Sequence, residues 1–250
     1  LRKENIPNLK NLEPKFLNPP YDRGNQYSAV YGWGTLGIYA RRPAGAPLEE
    51  SWGLFFAPAK QPGPFVLMDS MRDTIGAALK FRGHSFNSAS VKELREARDL
   101  LVDAKKRSAG FATPVGGCAK VVEKSAEAAI AYSADAVKGM LEDPETYFFI
   151  PREGSQIFTD NLVVLAGAPH RDLAEKFINF ILEPEIAARI SNEKHASCAN
   201  AAAKKFLKPE IANHPAIHPP AAVVEKLEYL EDLGRNTRLY DQLWTSIKSR

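Results

Sequence analysis

Two carboxylates stand where an apolar strand is predicted to give way to a helix. Residues 65–68 are apolar; Asp69, Ser70 and Asp73 follow, and an alanine-rich amphipathic segment begins at once. An Asp or Ser just before a helix accepts hydrogen bonds from the N–H groups of its first turn, so helix capping explains one of the acids. Capping does not need both acids, and strand ends in α/β sheets also collect ligands. The pattern therefore leaves a cap and a ligand carboxylate as alternatives.

The cysteines are the other residues that invite a chemical interpretation. Cys118 and Cys198 are too few for a disulfide scaffold, and their spacing is not that of a metal pair. His195 lies close to Cys198, but nucleophile–base pairs assemble in space rather than along the sequence. We therefore expect no catalytic residue, no metal and no cofactor.

Composition excludes several classes of protein. The chain has 250 residues, 44% of them hydrophobic and 25% charged, which is typical of a globular protein of about two domains. Its net charge is only +3, and no long Lys/Arg block is present, so nucleic acid is not expected as a partner. No apolar run reaches the roughly 18–20 residues of a membrane span. Because the chain starts at Leu1, we expect a piece whose beginning, with any targeting signal, has been removed.

The elements that must position these side chains alternate between strands and helices. Residues 111–120 are expected to interrupt the pattern, and Pro184 is expected to separate two helices. Gly234 is predicted to end one helix before another begins. The predicted strands are 27–40, 65–68, 147–151 and 161–167, and the predicted helices are 91–106, 171–191 in two parts, and 221–249 in two parts. This order indicates an α/β fold.

Several segments together resemble the spermidine/putrescine-binding proteins of bacterial ABC importers, in the order and with the separations of that family. The segments are NLEPKFLNPPYD, YSAVYGWGTLGIY, VLMDSMRDTIGAAL, IPREGSQIFTDNLVV, EKFINFILEPEIAARIS and LEYLEDLGRNTRLYDQLW. The resemblance covers nearly the whole chain.

The resemblance implies a two-lobed periplasmic-binding-protein type II fold with crossing hinge strands. It also implies that the amino-terminal part of the first lobe precedes Leu1 and is absent. Residues 1–38 and 161–206 would form the remaining part of the amino-terminal lobe. Residues 39–160 and 207–250 would form the carboxy-terminal lobe.

The resemblance also assigns ligand contacts in the cleft between the lobes. Asp73 keeps the acid of a ligand-facing glutamate, whereas Ser70 replaces a second ligand carboxylate. Tyr132 and Phe158 stand where the family has tryptophans that stack on the ligand. Asp160 matches the family's ligand aspartate and is expected just before a buried strand. A polyamine needs such residues, because carboxylates pair with its ammonium groups and aromatic faces cover its methylenes.

Two further residues are weaker candidates for the site. Asp69 is expected to cap or brace the start of the helix, and Trp33 is expected to pack in the hinge rather than line the cleft. The family's tyrosine and glutamine contacts correspond here to Ala196 and Leu230, so fewer rings and polar groups face the ligand.

These implications lead to one function and its rivals. We expect an extracytoplasmic or periplasmic protein, with a lipid anchor at the missing amino terminus as an option. It would capture spermidine or putrescine and deliver it to an ABC transporter permease, without enzymatic activity. The alternatives are a homologue that binds another small polar ligand and a truncated remnant or interaction domain. A hydrolase or transferase lacks support, because no nucleophile elbow, metal spacing or phosphate loop occurs.

Overall fold

The chain divides into two compact units. The computed structural model describes residues 1–43, 45 and 47–249. One unit contains Leu1–Gly34 and Phe158–His218, and the other contains Thr35–Ile157 and Pro219–Arg250. The assignment of residue ranges to the two lobes of a binding protein stays a prediction.

Strands and helices alternate along much of the chain. The strands are β1 (Ser28–Arg41), β2 (Phe65–Met68), β3 (Phe111–Ala112), β4 (Ala128–Tyr132), β5 (Thr146–Phe149), β6 (Gln156–Val163), β7 (Ser197–Cys198) and β8 (Glu228–Tyr229). The α-helices are α1 (Gly53–Phe56), α2 (Met71–Phe81), α3 (Val91–Arg107), α4 (Pro114–Val122), α5 (Ser133–Glu142), α6 (Arg171–Ile181), α7 (Pro184–Lys194), α8 (Pro209–Ala212), α9 (Ala221–Val224) and α10 (Thr237–Ser249).

The larger unit is built on a mixed sheet. Strand β2 lies between β3 and β4 and runs parallel to both, while β1 runs antiparallel to β4 and β5. All four residues of β2 are buried, as an uninterrupted apolar strand with neighbours on both edges requires. Helices α2, α3 and α10 pack on one another beside this sheet. In α2, a Cβ on Gly76 would lie 1.9 Å from the ring of Phe86, so this close packing requires glycine.

The smaller unit combines short strands with helices and 3₁₀ turns. Strand β7 pairs antiparallel with β1 through Gly32 and Trp33. Helix α7 packs against the 3₁₀ segment Ala201–Phe206, and α6 packs against the 3₁₀ turns near the start of the chain. The buried carboxylate of Glu175 on α6 accepts hydrogen bonds from Arg2 and Asn5, which holds the first residues against this helix.

Many predicted elements agree with the structure. The long strand predicted over 27–40 is β1, the helix predicted over 91–106 is α3, and Pro184 begins α7 as expected. The predicted break at 111–120 is wrong in part, because α4 starts there. Thr113 caps this helix by accepting a hydrogen bond from the N–H of Gly116 at 3.2 Å.

Two predicted elements are wrong. The strand predicted over 161–167 begins at Gln156 and ends at Val163, whose side chain is exposed, so its last residues are not buried. The helix predicted from residue 221 ends at Val224, and the chain then forms β8 beside the start of β6. Gly234 opens a 3₁₀ turn before α10 instead of ending a helix.

The structure also addresses membrane insertion. Among the residues that it describes, no helix is both long and apolar enough to cross a bilayer.

Candidate functional site

The carboxylate of Asp73 lies at the centre of a buried polar cluster in the larger unit. Its side chain is 4% exposed. Three neutral side chains donate hydrogen bonds to it: the Ser70 hydroxyl, the Tyr132 hydroxyl at 2.9 Å and the Gln156 amide at 2.5 Å. We call these four residues the Asp73 cluster.

Strand order explains why residues so distant in sequence meet here. Ser70 and Asp73 follow the carboxyl end of β2, and Tyr132 is the last residue of β4. Because β2 and β4 are parallel neighbours, their carboxyl ends lie at the same edge of the sheet. Gln156, the first residue of β6, completes the cluster.

The cluster carries one negative charge, which lies on Asp73. Neither Lys nor Arg forms an ion pair with Asp73 among the residues that the structure describes. Burial, together with the charge and hydrogen bond of Asp73, raises the pKa of Tyr132 well above its ordinary value. The Tyr132 hydroxyl therefore remains a protonated donor at neutral pH.

Two other buried carboxylates show how this chain normally satisfies such a group. Asp22 accepts three backbone N–H bonds and the hydroxyl of Ser28, which outweigh burial and lower its pKa. Glu175 forms ion pairs with Arg2 and Arg171. Within the described part of the chain, Asp73 has neither backbone donors of this kind nor a basic partner, so it differs from the carboxylates that stabilise the fold.

Asp69 is not the cap of α2. The N-cap position belongs to Ser70, whose hydroxyl donates to Asp73, and the helix has no side-chain cap hydrogen bond. The Asp69 carboxylate is half exposed and accepts a 2.8 Å hydrogen bond from the ammonium group of Lys248. Asp69 therefore braces the strand–helix junction against α10, and the capping alternative is wrong.

The other predicted carboxylate lies in the smaller unit. Asp160 is an exposed residue within β6, not before a strand as predicted, and Phe158 lies two residues earlier and is half-buried. A Cβ on Gly32 would lie 3.6 Å from Oδ2 of Asp160, so the carboxylate sits close to the β1 backbone. Burial and the negative charge of Asp160 raise the pKa of Tyr31. Asp160 has no ion pair within the described part of the chain.

Trp33 packs in the interior of the smaller unit. Its side chain is 4% exposed, and its indole N–H donates to the carbonyl of Cys198 at 3.2 Å. The ammonium group of Lys15 lies 3.8 Å from the ring centroid, and Phe16 contacts the ring. These contacts give Trp33 the packing role that we expected, and its weaker assignment as a ligand contact stays a prediction.

The cysteines are poorly placed for chemistry. Both are free and buried; burial raises the pKa of Cys118 to about 12 and that of Cys198 to about 11. Thiols with such pKa values are not activated nucleophiles. Among the residues that the structure describes, no group of three or more His, Cys, Asp or Glu side chains could hold a metal ion.

Sequence reasoning missed Gln156. We predicted Ser70, Asp73 and Tyr132 as site residues, and the structure brings these three together. Gln156 joins them because β6 starts five residues earlier than predicted. The two-residue period of a strand was the available signal, since Gln156 stands two positions before the predicted contact Phe158.

Comparison with known proteins gives several matches to one group. A family described as "Bacterial extracellular solute-binding protein" matches residues 2–219. The putrescine/cadaverine-binding protein of Pseudomonas aeruginosa is 32% identical over 263 residues, covering 100% of this chain and 74% of that protein. The spermidine/putrescine-binding periplasmic protein of Escherichia coli K12 is 28% identical over 248 residues, covering 99% of this chain and 71% of that protein.

Solved structures agree with this result. The substrate-binding protein PotD of a spermidine/putrescine ABC transporter from Streptococcus pneumoniae superposes with a TM-score of 0.89 at 27% identity, covering 100% of this chain and 77% of PotD. The TpPotD lipoprotein of Treponema pallidum shares the fold, with a TM-score of 0.84 at 24% identity, covering 100% of this chain and 78% of TpPotD. The predicted α/β periplasmic-binding-protein fold is confirmed. The chain belongs to the bacterial extracellular solute-binding protein family.

Proposed function

We propose that this protein binds a polyamine and delivers it to the permease of an ABC importer. Asp73 and Asp160 would receive the ammonium groups of the ligand. The rings of Tyr132 and Phe158 would cover its methylenes. Each charged hydrogen bond of this kind contributes about 1.5–3 kcal/mol, and each cation–π contact contributes about 0.5–2 kcal/mol.

The observation that carries the proposal is the buried, unpaired charge of Asp73. A carboxylate 4% exposed and surrounded by neutral donors has lost most of its hydration, and no residue that the structure describes gives it a cation. A ligand ammonium supplies that missing charge. The names of the relatives, which include putrescine, cadaverine and spermidine, support the same class of ligand.

We assign no reaction to the protein. Its carboxylates would bind and orient a cation, and its thiols are too basic to act as nucleophiles at neutral pH. The ligand would bind one conformation of the protein more tightly than another and so increase the population of that conformation. The permease would then recognise the ligand-bound conformation. We place the protein outside the cytoplasm, as the names of its periplasmic relatives suggest.

A titration of the native protein with several ligand classes tests the proposal. Isothermal titration calorimetry would compare 1,4-diaminobutane, 1,5-diaminopentane and spermidine with glutamate, γ-aminobutyrate and citrate. We expect at least one amine to bind with a micromolar dissociation constant, a binding free energy of about −8.2 kcal/mol. Glutamate, γ-aminobutyrate and citrate should show no heat of binding. Tighter binding of an anion or an amino acid than of any amine would overturn the proposal, and so would the absence of amine binding.

A further inference from the structure

Gln156 has a buried oxygen without a partner. Its side chain is 3% exposed, and its Oε1 accepts no hydrogen bond from any residue that the structure describes. Leaving a buried acceptor unsatisfied destabilises a folded protein, so such an atom calls for an explanation.

The neighbouring carboxylate fixes the orientation of this amide. A carboxylate oxygen only accepts hydrogen bonds, so the Gln156 Nε2 donor faces Oδ1 of Asp73 at 2.5 Å and Oε1 points away. A half-turn of the amide in the free protein would set two oxygens against each other. The orphan oxygen is therefore the consequence of satisfying Asp73.

An ammonium group at Asp73 reverses this preference. The cation donates to the carboxylate and replaces the amide as a donor, and a half-turn of the Gln156 side chain then presents Oε1 to a second N–H of the same cation. The terminal torsion of Gln is broad, so the turn has no large intrinsic penalty. Both the orphan oxygen and the unpaired charge gain a partner in one step.

We propose that Gln156 is a specificity-determining ligand contact, which accepts an N–H of the primary ammonium group bound by Asp73. This inference rests on the proposed polyamine function. Ser70, Tyr132 and Gln156 are all neutral, so this subsite offers one full negative charge and one amide acceptor. It fits the terminal primary amine of a diamine, which has one charge and three N–H donors.

A cycle of two proteins, the wild type and Gln156→Met, and two ligands tests this role. The ligands are 1,4-diaminobutane and its N,N,N′,N′-tetramethyl derivative, which keeps both charges but only one N–H at each end. In calorimetry, Gln156→Met should weaken 1,4-diaminobutane by about tenfold or more and the methylated ligand by less than about threefold. Equal factors for the two ligands, or no change for either, would overturn the inference. Gln242→Met, at an exposed glutamine of α10, is the matched control and should change neither affinity.

A second variant separates an acceptor from a residue that only positions Asp73. Gln156→Glu keeps an acceptor and adds a negative charge beside Asp73, which a bound ammonium group would offset, so at pH 8 it should bind 1,4-diaminobutane at least as tightly as the wild type. A loss as large as that of Gln156→Met would contradict direct contact. If the wild type binds no amine at all, the proposed function fails together with the inference, whereas amine binding with the wrong response at Gln156 removes the inference alone.

Discussion

The hydroxyl of Tyr132 donates a 2.9 Å hydrogen bond to Oδ2 of Asp73, 59 residues earlier in the chain. This bond joins the end of β4 to the first turn of α2 and brings an aromatic ring beside a buried carboxylate. The pair thus combines the two kinds of group that a cationic, methylene-rich ligand needs.

Replacing Tyr132 separates the contribution of its ring from that of its hydroxyl. Tyr132→Phe removes one donor to Asp73 and should lower the free energy of unfolding by about 0.5–1.5 kcal/mol, while amine affinity stays within about threefold. Tyr132→Ala also removes the ring and should weaken binding by about tenfold or more. Calorimetry and chemical denaturation of both variants measure these effects. Equal losses of affinity in the two variants would show that the ring does not contact the ligand.

Asp69 should contribute to stability only through its exposed ion pair with Lys248. Asp69→Ala should lower the free energy of unfolding by no more than about 1 kcal/mol, and added salt should reduce the effect. Amine affinity should not change. A double-mutant cycle with Lys248→Ala, measured by urea denaturation, isolates the coupling free energy of this ion pair. A salt-independent loss of about 2 kcal/mol would instead restore the capping role.

The lowered pKa of Glu175 predicts that the folded protein loses stability in acid. Burial would raise the pKa of this carboxyl, but hydrogen bonds from Asn5, Arg2 and Arg171 outweigh it and hold the pKa well below the ordinary value of about 4.3. A lowered pKa in the folded state stabilises the protein above the unfolded-state pKa, and that stabilisation is lost as pH falls below about 4.3.

The Glu175→Gln variant checks this assignment. The wild type should lose more free energy of unfolding between pH 7 and pH 3.5 than the variant, because Gln cannot titrate. Denaturant melts at both pH values give the comparison. Parallel losses in the two proteins would mean that other carboxyls, such as Asp22 with its lowered pKa, account for the acid sensitivity.

Both thiols should resist alkylation in the folded protein. Cys118 and Cys198 are buried and have pKa values of about 12 and about 11, so little thiolate forms at pH 8. Mass spectrometry after iodoacetamide treatment should show two modifications in guanidinium chloride and none without it. Rapid labelling of either cysteine in the native state would reveal an activated thiol and reopen a catalytic interpretation.

The sequence predicted those elements whose pattern is local. The apolar stripe of α3, the proline that starts α7 and the β-prone residues of β1 are all visible in the chain itself. Residues 221–236 have a helical pattern, but the structure forms β8 there. Glu228 pairs with Lys80 and accepts hydrogen bonds from Ser85 and the backbone N–H of Phe86, contacts that no local pattern shows.

The same distinction applies to the candidate site. The resemblance predicted Asp73, Ser70 and Tyr132, because their places in known motifs are recognisable. Whether Gln156 joins the site depends on which strand pairs with β6 and on where β6 begins. Neither is visible in the local sequence, which predicts a polar connection before Asp160. Only the structure, and not the sequence, shows that Oε1 of Gln156 is buried without a hydrogen-bond partner among the described residues.

The most direct test of the central claim is calorimetry of 1,4-diaminobutane binding to Asp73→Asn and Asp160→Asn. Each variant keeps the shape of the side chain and removes one charge. If these carboxylates receive the ammonium groups, each variant should bind about tenfold more weakly or worse, a loss of at least about 1.4 kcal/mol. Asp99→Asn, at a carboxylate that is 68% exposed on α3, is the control and should bind like the wild type. Wild-type affinity in both Asp73→Asn and Asp160→Asn, with the folded state intact, would contradict the assignment of these two residues to a polyamine site.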